Sequence, residues 1–279
     1  MSQVWLYIVL ALSWLMLALA LRFVCRYYLR YKKGDVSTQK NVGPSRKILC
    51  NTWLVSYGAG EVHLANQRHL IVTAQNKGID FFKPHTSRHI DLGYATRHAK
   101  ILQQKRGAGY WLWKPYVILR TLEQIPPNDV VLYLDSGISI VKPVVPLIDL
   151  CVDHDLILFQ DGNSNRKYIK RDLLKIMDMD NNATRDAIQL CGGLVLAKNT
   201  PKTRDFIQKW LDLCENEQAL TDSPSQDEYP ELIDHRHDQA ILTVLAMQNS
   251  ELVHSLPFSK VGEFFKWHRR RKIHRSLVR

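Results

Sequence analysis

Val130-Val131-Leu132-Tyr133-Leu134-Asp135-Ser136-Gly137 lies near the middle of the chain, between Pro126-Pro127-Asn128-Asp129 and a Ser-Gly turn. Five consecutive apolar or aromatic residues bounded by turn formers read as a strand buried on both faces of an α/β sheet. The strand delivers Asp135 to its carboxyl end, where open α/β sheets place their ligands. A lone carboxylate is costly to bury. Asp135 therefore either faces a crevice and meets a cation or donor, or is tied to backbone amides as a turn cap.

Upstream, residues 47–57 read as the first core strand, followed by the turn Ser56-Tyr57-Gly58-Ala59-Gly60. Such a turn either lies against a nucleotide or simply needs its glycines. Glu61 to Lys77 has helical spacing and carries Arg68, Ile79 to Phe82 is short enough for a second strand, and residues 89–107 read as a helix. Trp111 to Leu122 is a helix with Pro115 in its first turn; Lys114 then sits at a helix start, a place that favours anions.

Downstream, Asp155 to Phe159 is a strand followed by a polar turn over Gln160 to Asn165. Residues 187–197 contain Cys191-Gly192-Gly193 followed by Leu194-Val195-Leu196, a strand entered by paired glycines that let backbone approach a bulky ligand. Thr200 caps a helix beginning at Pro201. Residues 216–230 are acidic and rich in Pro and Ser, an exposed loop or mobile lid. Asp238 and Gln239 open the helix of Ala240 to Met247, so Asp238 is either an N-cap or a functional acid. Glu251 to Pro257 gives a last short strand containing His254.

The 279 residues are 46% apolar and 23% charged, which excludes disordered and fibrous classes. The formal charge of +11 implies an anionic environment: nucleic acid, membrane surface or a phosphorylated substrate. Much of it sits at the two ends, residues 22–33 and 266–279, without the motif context of a nucleic-acid reader, so no nucleic-acid partner is expected. Cys25, Cys50, Cys151, Cys191 and Cys214 are an odd set with no close pair and support neither a disulfide framework nor a zinc site. Val4 to Leu21 is an apolar run of membrane-spanning length. Residues 1–25 then form a retained anchor and 26–46 a basic juxtamembrane linker. Arg22, Arg26, Arg30, Lys32 and Lys33 on its C-terminal flank place the large domain, residues 47–262, in the cytoplasm of a single-pass topology. A Golgi-lumen placement requires that charge rule to fail. Residues 263–279 read as a basic tail suited to anionic lipid.

The usual P-loop, nucleophile-elbow, zinc-protease and dinucleotide fingerprints are absent from the sequence. The blocks Arg106-Gly107-Ala108-Gly109-Tyr110-Trp111-Leu112-Trp113-Lys114-Pro115-Tyr116, Leu132-Tyr133-Leu134-Asp135-Ser136-Gly137 and His237-Asp238-Gln239-Ala240-Ile241-Leu242 resemble those of a polysaccharide-associated, largely uncharacterised group of GT-A type glycosyltransferases. The resemblance implies an α/β nucleotide-sugar-binding fold, with a central mixed, mostly parallel sheet flanked by helices and preceded by one transmembrane helix. It also implies a nucleotide-sugar donor, and a glycan or lipid-linked acceptor presented at the membrane.

Carried over by position, Ser56, Tyr57 and Gly58 border the nucleotide and Arg68 faces its phosphates, while Trp113, Lys114, Ser136, Gly192 and Gly193 surround the donor. Asp135 matches the first acid of the Asp-x-Asp element that holds Mn²⁺ or Mg²⁺. Gly137 stands where the second acid belongs. That leaves either Asp135 with His254 as ligands or a weak metal dependence. Asp238, with Gln239 beside it, falls near the transferred sugar or the acceptor hydroxyl, as a candidate base if the reaction inverts. The rival expectation keeps the fold but not the chemistry: a membrane-tethered scaffold that binds glycans or phosphates.

Overall fold

The computed structural model describes residues 50–268. The expected anchor and juxtamembrane linker, and the tail beyond His268, lie outside the described residues. Among the described residues no helix is long and apolar enough to cross a membrane.

Among the described residues eight strands form two sheets: β1 (Thr52–Tyr57), β2 (Phe81–His85), β3 (Val130–Leu134), β4 (Ile138–Ile140), β5 (Leu156–Ser164), β6 (Ile188–Lys198), β7 (Val253–Leu256) and β8 (Phe265–Trp267). The main sheet has the order β2-β1-β3-β6-β5-β7, and β4 pairs with β8 in a small second sheet. β2, β1 and β3 run parallel, β6 is antiparallel to both β3 and β5, and β7 is parallel to β5. The sheet is therefore mixed and mostly parallel, as expected. β3 is buried at every residue, which is why its sequence shows no alternation.

Four helices matter for the site: α1 (Gly60–Ala74), α2 (Trp113–Leu122), α3 (Pro201–Cys214) and α4 (His237–Gln248). One sheet face carries Val131, Tyr133, Leu158 and Val195 into a core shared with α2, α3 and α4. The other face carries Leu132, Leu134, Leu194 and Leu196 against α1 and the β4–β8 pair. Thr200 caps α3 as its sequence predicts, its hydroxyl accepting from the Thr203 amide at 3.2 Å.

Three segments differ from their sequence patterns. The helix expected over residues 89–107 is broken into Leu92–Arg97 and Ala99–Leu102, with Asp91 capping the first piece through the Tyr94 amide. The turn expected over Gln160 to Asn165 is largely the irregular end of β5, where the register with β6 shifts twice. Beyond residue 262 the chain still forms a strand, β8, which pairs with β4, Ile138 opposite Trp267.

The acidic loop after α3 is exposed in places but latched. Arg171 meets Asp180 at 2.8 Å and also pairs with Asp227, Glu228 accepts from the Arg171 amide, and Tyr229 lies under the Arg171 and Arg185 guanidinium groups.

Candidate active site

Lys114 is the second residue of α2, and the fold turns it inward. Only 3% of its side chain is exposed. Its ammonium lies 2.7 Å from Asp238 Oδ2 and 3.6 Å from Asp135 Oδ1, and 5.9 and 5.7 Å from the ring centroids of Trp113 and Tyr133. Burial pulls its pKa down, but Asp135 and Asp238 outweigh burial and hold it above the ordinary lysine value. Burial pushes the Asp238 carboxyl up to about 6, against the opposing pull of Lys114. Tyr133 donates its hydroxyl to Asp135 Oδ1 at 2.7 Å, and burial followed by that carboxylate raises the phenol well above its usual range.

The two acids come from unrelated places, the end of β3 and the first turn of α4, and both lie against the glycine pair of β6. A Cβ on Gly193 would stand 2.7 Å from Asp135 Oδ2, and one on Gly192 would stand 3.1 Å from Asp238 Oδ2. The glycines thus make room for carboxylates packed on the strand. Asp238 is inside α4, where Arg236 occupies the N-cap position without a side-chain cap bond, so the N-cap alternative does not describe it. Gln239 is spent internally: its amide donates to Asp161 and Gln189 at 2.7 and 2.9 Å, and its oxygen accepts from the Gly192 amide at 3.0 Å.

Of this cluster Asp135 lines a cavity of about 400 Å³, while Lys114, Asp238, Gly192 and Gly193 lie outside its lining. Tyr57, His63, Trp111, Trp113, Asp135 and His268 are among the residues that line it. Tyr57 stacks on Trp113 with centroids 4.0 Å apart. Ser136 and Gly137 also line the cavity. Of the remaining expected donor residues, Ser56 and Gly58 are buried behind Tyr57, and Arg68 is exposed on α1 outside the cavity lining. Lys105 and His63 reach the cavity instead; neither stood out in the sequence.

The fold does not bring His254 to Asp135. His254 lies on edge strand β7, in register through Ile157 and Leu196 with Leu132, three strands from β3 and so roughly 14 Å across the sheet. Its ring stacks on His154 at 3.7 Å. The histidines that share the cavity with Asp135 are His63 on α1 and His268, just past β8. His268 donates its amide to Gly137 O at 2.8 Å and its Nε2 lies 2.6 Å from Ser139 Oγ. Burial, then His69 and Lys266, lowers its pKa, so the imidazole is neutral near pH 7. In the sequence His268 was hidden inside a basic run that read as a membrane-facing tail.

The segment holding Trp111 has an unusual backbone. Gly107, Ala108, Gly109, Tyr110 and Trp111 all have positive φ, from 51° to 102°, giving one left-handed turn that contains three non-glycine residues. Each such residue costs roughly 1–2 kcal/mol, so tertiary contacts must impose the conformation. Two glycines are required there: a Cβ on Gly107 would meet the Trp111 indole at 2.3 Å, and one on Gly109 would meet Leu102 Cα at 2.7 Å. Trp113 Nε1 donates to Gly107 O at 2.9 Å and pins the turn to α2.

No family model matches the sequence, and no curated protein matches it by sequence. Solved structures of similar topology include mouse xyloside xylosyltransferase 1, 12% identical with a TM-score of 0.43, covering 74% of this chain and 84% of that one. A glycosyltransferase involved in glycosylating the major capsid of PBCV-1 is 11% identical with a TM-score of 0.46, covering 81% of this chain and 99% of that one. The galactosyltransferase LgtC, solved with donor and acceptor sugar analogues, is 17% identical with a TM-score of 0.39 and 72% coverage of each chain. At this level of likeness the chemistry of the present chain is to be read from its own residues.

Proposed function

We propose that this chain transfers a sugar from a nucleotide-sugar donor to a glycan or lipid-linked acceptor. The observation that carries this reading is Lys114, a buried ammonium that joins Asp238 to Asp135, and Asp135 in turn lines an aromatic-rich cavity at the carboxyl end of β1 and β3. A donor in that cavity can stack its base or sugar on aromatic rings and set its diphosphate among His63, Lys105 and His268, beside Asp135, the partner of Lys114. Departure of the nucleoside diphosphate builds negative charge, which cations held in a dry site stabilise without reorganising. Asp238, its carboxyl pushed up to about 6 by burial, is the candidate proton acceptor for the attacking hydroxyl; it lies behind the cavity lining, joined to Asp135 by Lys114.

A divalent ion fits this site as a partner of the diphosphate rather than as a resident of a protein cage. Among the described residues no three His, Cys, Asp or Glu side chains cluster as a ligand set. The Asp135 side chain is 41% exposed and shares the cavity with the neutral His268, and an ion that takes most of its shell from phosphates and water needs only one or two protein ligands. Asp135 and His268 would hold Mn²⁺ or Mg²⁺, which would supply charge neutralisation at the leaving diphosphate.

The test is calorimetric titration of UDP-, GDP- and CMP-sugars with and without Mn²⁺, on wild type and Asp135→Ala. One donor class is expected to bind, and the variant is expected to lose at least tenfold in affinity together with the Mn²⁺ enhancement. Failure of all donors to bind would overturn the sugar-transfer reading, and binding without turnover would favour the scaffold. We further propose that residues 1–25 anchor the chain in a membrane with the large domain on the cytoplasmic side, supported by the basic flank after the apolar run. Protease added outside sealed cells should leave that domain intact; its digestion would contradict the topology.

A further inference from the structure

Arg106 begins the left-handed turn and reaches away from the cavity. Its backbone oxygen accepts from the Tyr110 amide at 2.8 Å, while its guanidinium donates to Asp222, within the acidic loop, at 3.0 Å and to Asp234, just after it, at 2.7 Å. All three side chains are about 40% exposed, so these pairs add little to stability. What they fix is position. The turn's last residues, Tyr110 and Trp111, lay their rings on the His237 imidazole, with centroids 5.0 and 5.3 Å apart. His237 itself is buried at φ 52°, its Nδ1 2.8 Å from Leu220 O and its Nε2 without a hydrogen-bond partner, 3.8 Å from Asp222 Oδ1. The next residue is Asp238. At the other end of the turn, Trp111 O accepts from the Lys114 amide at 2.9 Å.

One strained turn therefore contacts the backbone of Lys114 directly and the backbone of Asp238 through His237, while its Trp111 indole lines the cavity. Two left-handed segments packed on each other, at a site where both halves of a buried ion pair must meet, are a place where strain has a use. We propose that Arg106 is a positioning residue for the transfer reaction: by clamping Asp222 and Asp234 it holds the left-handed turn and His237 in register, and through them sets Asp238 against Lys114. This rests on the sugar-transfer reading above. Arg106 itself does not line the cavity and touches no reacting group.

The experiment uses the full chain. Arg106→Ala, Arg106→Lys and the double variant Asp222→Asn/Asp234→Asn are compared with wild type for donor affinity, for kcat, and for the ¹⁹F resonance of fluorotryptophan at Trp111, assigned by its loss in Trp111→Phe. Arg106→Ala is expected to lower kcat at least tenfold with donor affinity changed less than twofold, and to shift the Trp111 resonance. The double variant should reproduce the loss. Arg106→Lys should recover only part of it, because an ammonium lacks the planar fork whose Nη1 and Nη2 each meet one of these carboxylates. An unchanged kcat, an equal loss of donor binding and kcat, or an unmoved Trp111 resonance would overturn the proposal. If wild type neither binds nor turns over any donor, the sugar-transfer reading fails instead, and the Trp111 resonance alone decides whether Arg106 sets the turn.

Discussion

Lys114→Met is expected to reduce sugar transfer by at least a thousandfold and to destabilise the fold by about 3–5 kcal/mol, the usual cost of removing one partner of a buried ion pair. The reason is local. Asp238 is 4% exposed in its side chain, and Lys114 is the cation within 2.7 Å of it. Without the ammonium, Asp238 must bind a proton or stay ionised in a dry site, and Asp135 loses its inner counter-charge. A change of this size in a domain of some 220 described residues lowers Tm by roughly 10 °C. The double variant Lys114→Met/Asp238→Leu separates the two roles. Replacing the whole pair by apolar side chains is expected to restore most of the stability, because desolvation of the ions is no longer required, while activity stays lost. Urea melts and nucleotide release on the two variants check this. Full stability in Lys114→Met would mean the ion pair is not buried as described.

The second large effect is on pH. Asp238 has its carboxyl pushed up to about 6 by burial, against the pull of Lys114. A base works only when ionised, so kcat/KM is expected to rise tenfold per pH unit below about 6 and level above it. Asp238→Asn should abolish that limb and lower kcat by about 10²–10⁴, the range general-base catalysis supplies. The stability sign is opposite to that of an ordinary salt-bridged aspartate. A carboxyl whose folded pKa is raised contributes stability that is fully present below its ordinary value of 3.8 and is lost as pH rises through about 6. Lys114 is also raised, so its contribution is present below its ordinary value of 10.5 and is lost only at strongly alkaline pH. A pH–rate profile of Asp238→Asn that retains the acid limb would assign that limb to another group.

Much of the scaffold was legible because its signals are local. The unbroken apolar run of β3, the Thr200-Pro201 start of α3 and the helical pattern of α2 all follow from burial and capping that nearest neighbours in sequence report. The site was legible only in part. Asp135, Lys114 and Asp238 could be named from their motifs, but not that one ammonium joins them, since α2, β3 and α4 meet only in three dimensions. Gly192-Gly193 read as an opening for a ligand, and its Cβ-free surface is filled by the chain's own carboxylates. The left-handed turn was invisible because Ala108, Tyr110 and Trp111 have no preference for positive φ; the indole bond to Gly107 and the His237 packing impose it. His254 and His268 could not be told apart by spacing: the choice depends on β7 being an edge strand and β8 folding back onto β4.

The most direct measurement is nucleotide release from UDP-, GDP- and CMP-sugars by the purified full chain, in parallel with Lys114→Met. The Lys114-centred site predicts release above background from one donor class by wild type, and none by the variant. Equal release by both would contradict it, as would no release from any donor by a wild-type protein shown to be folded.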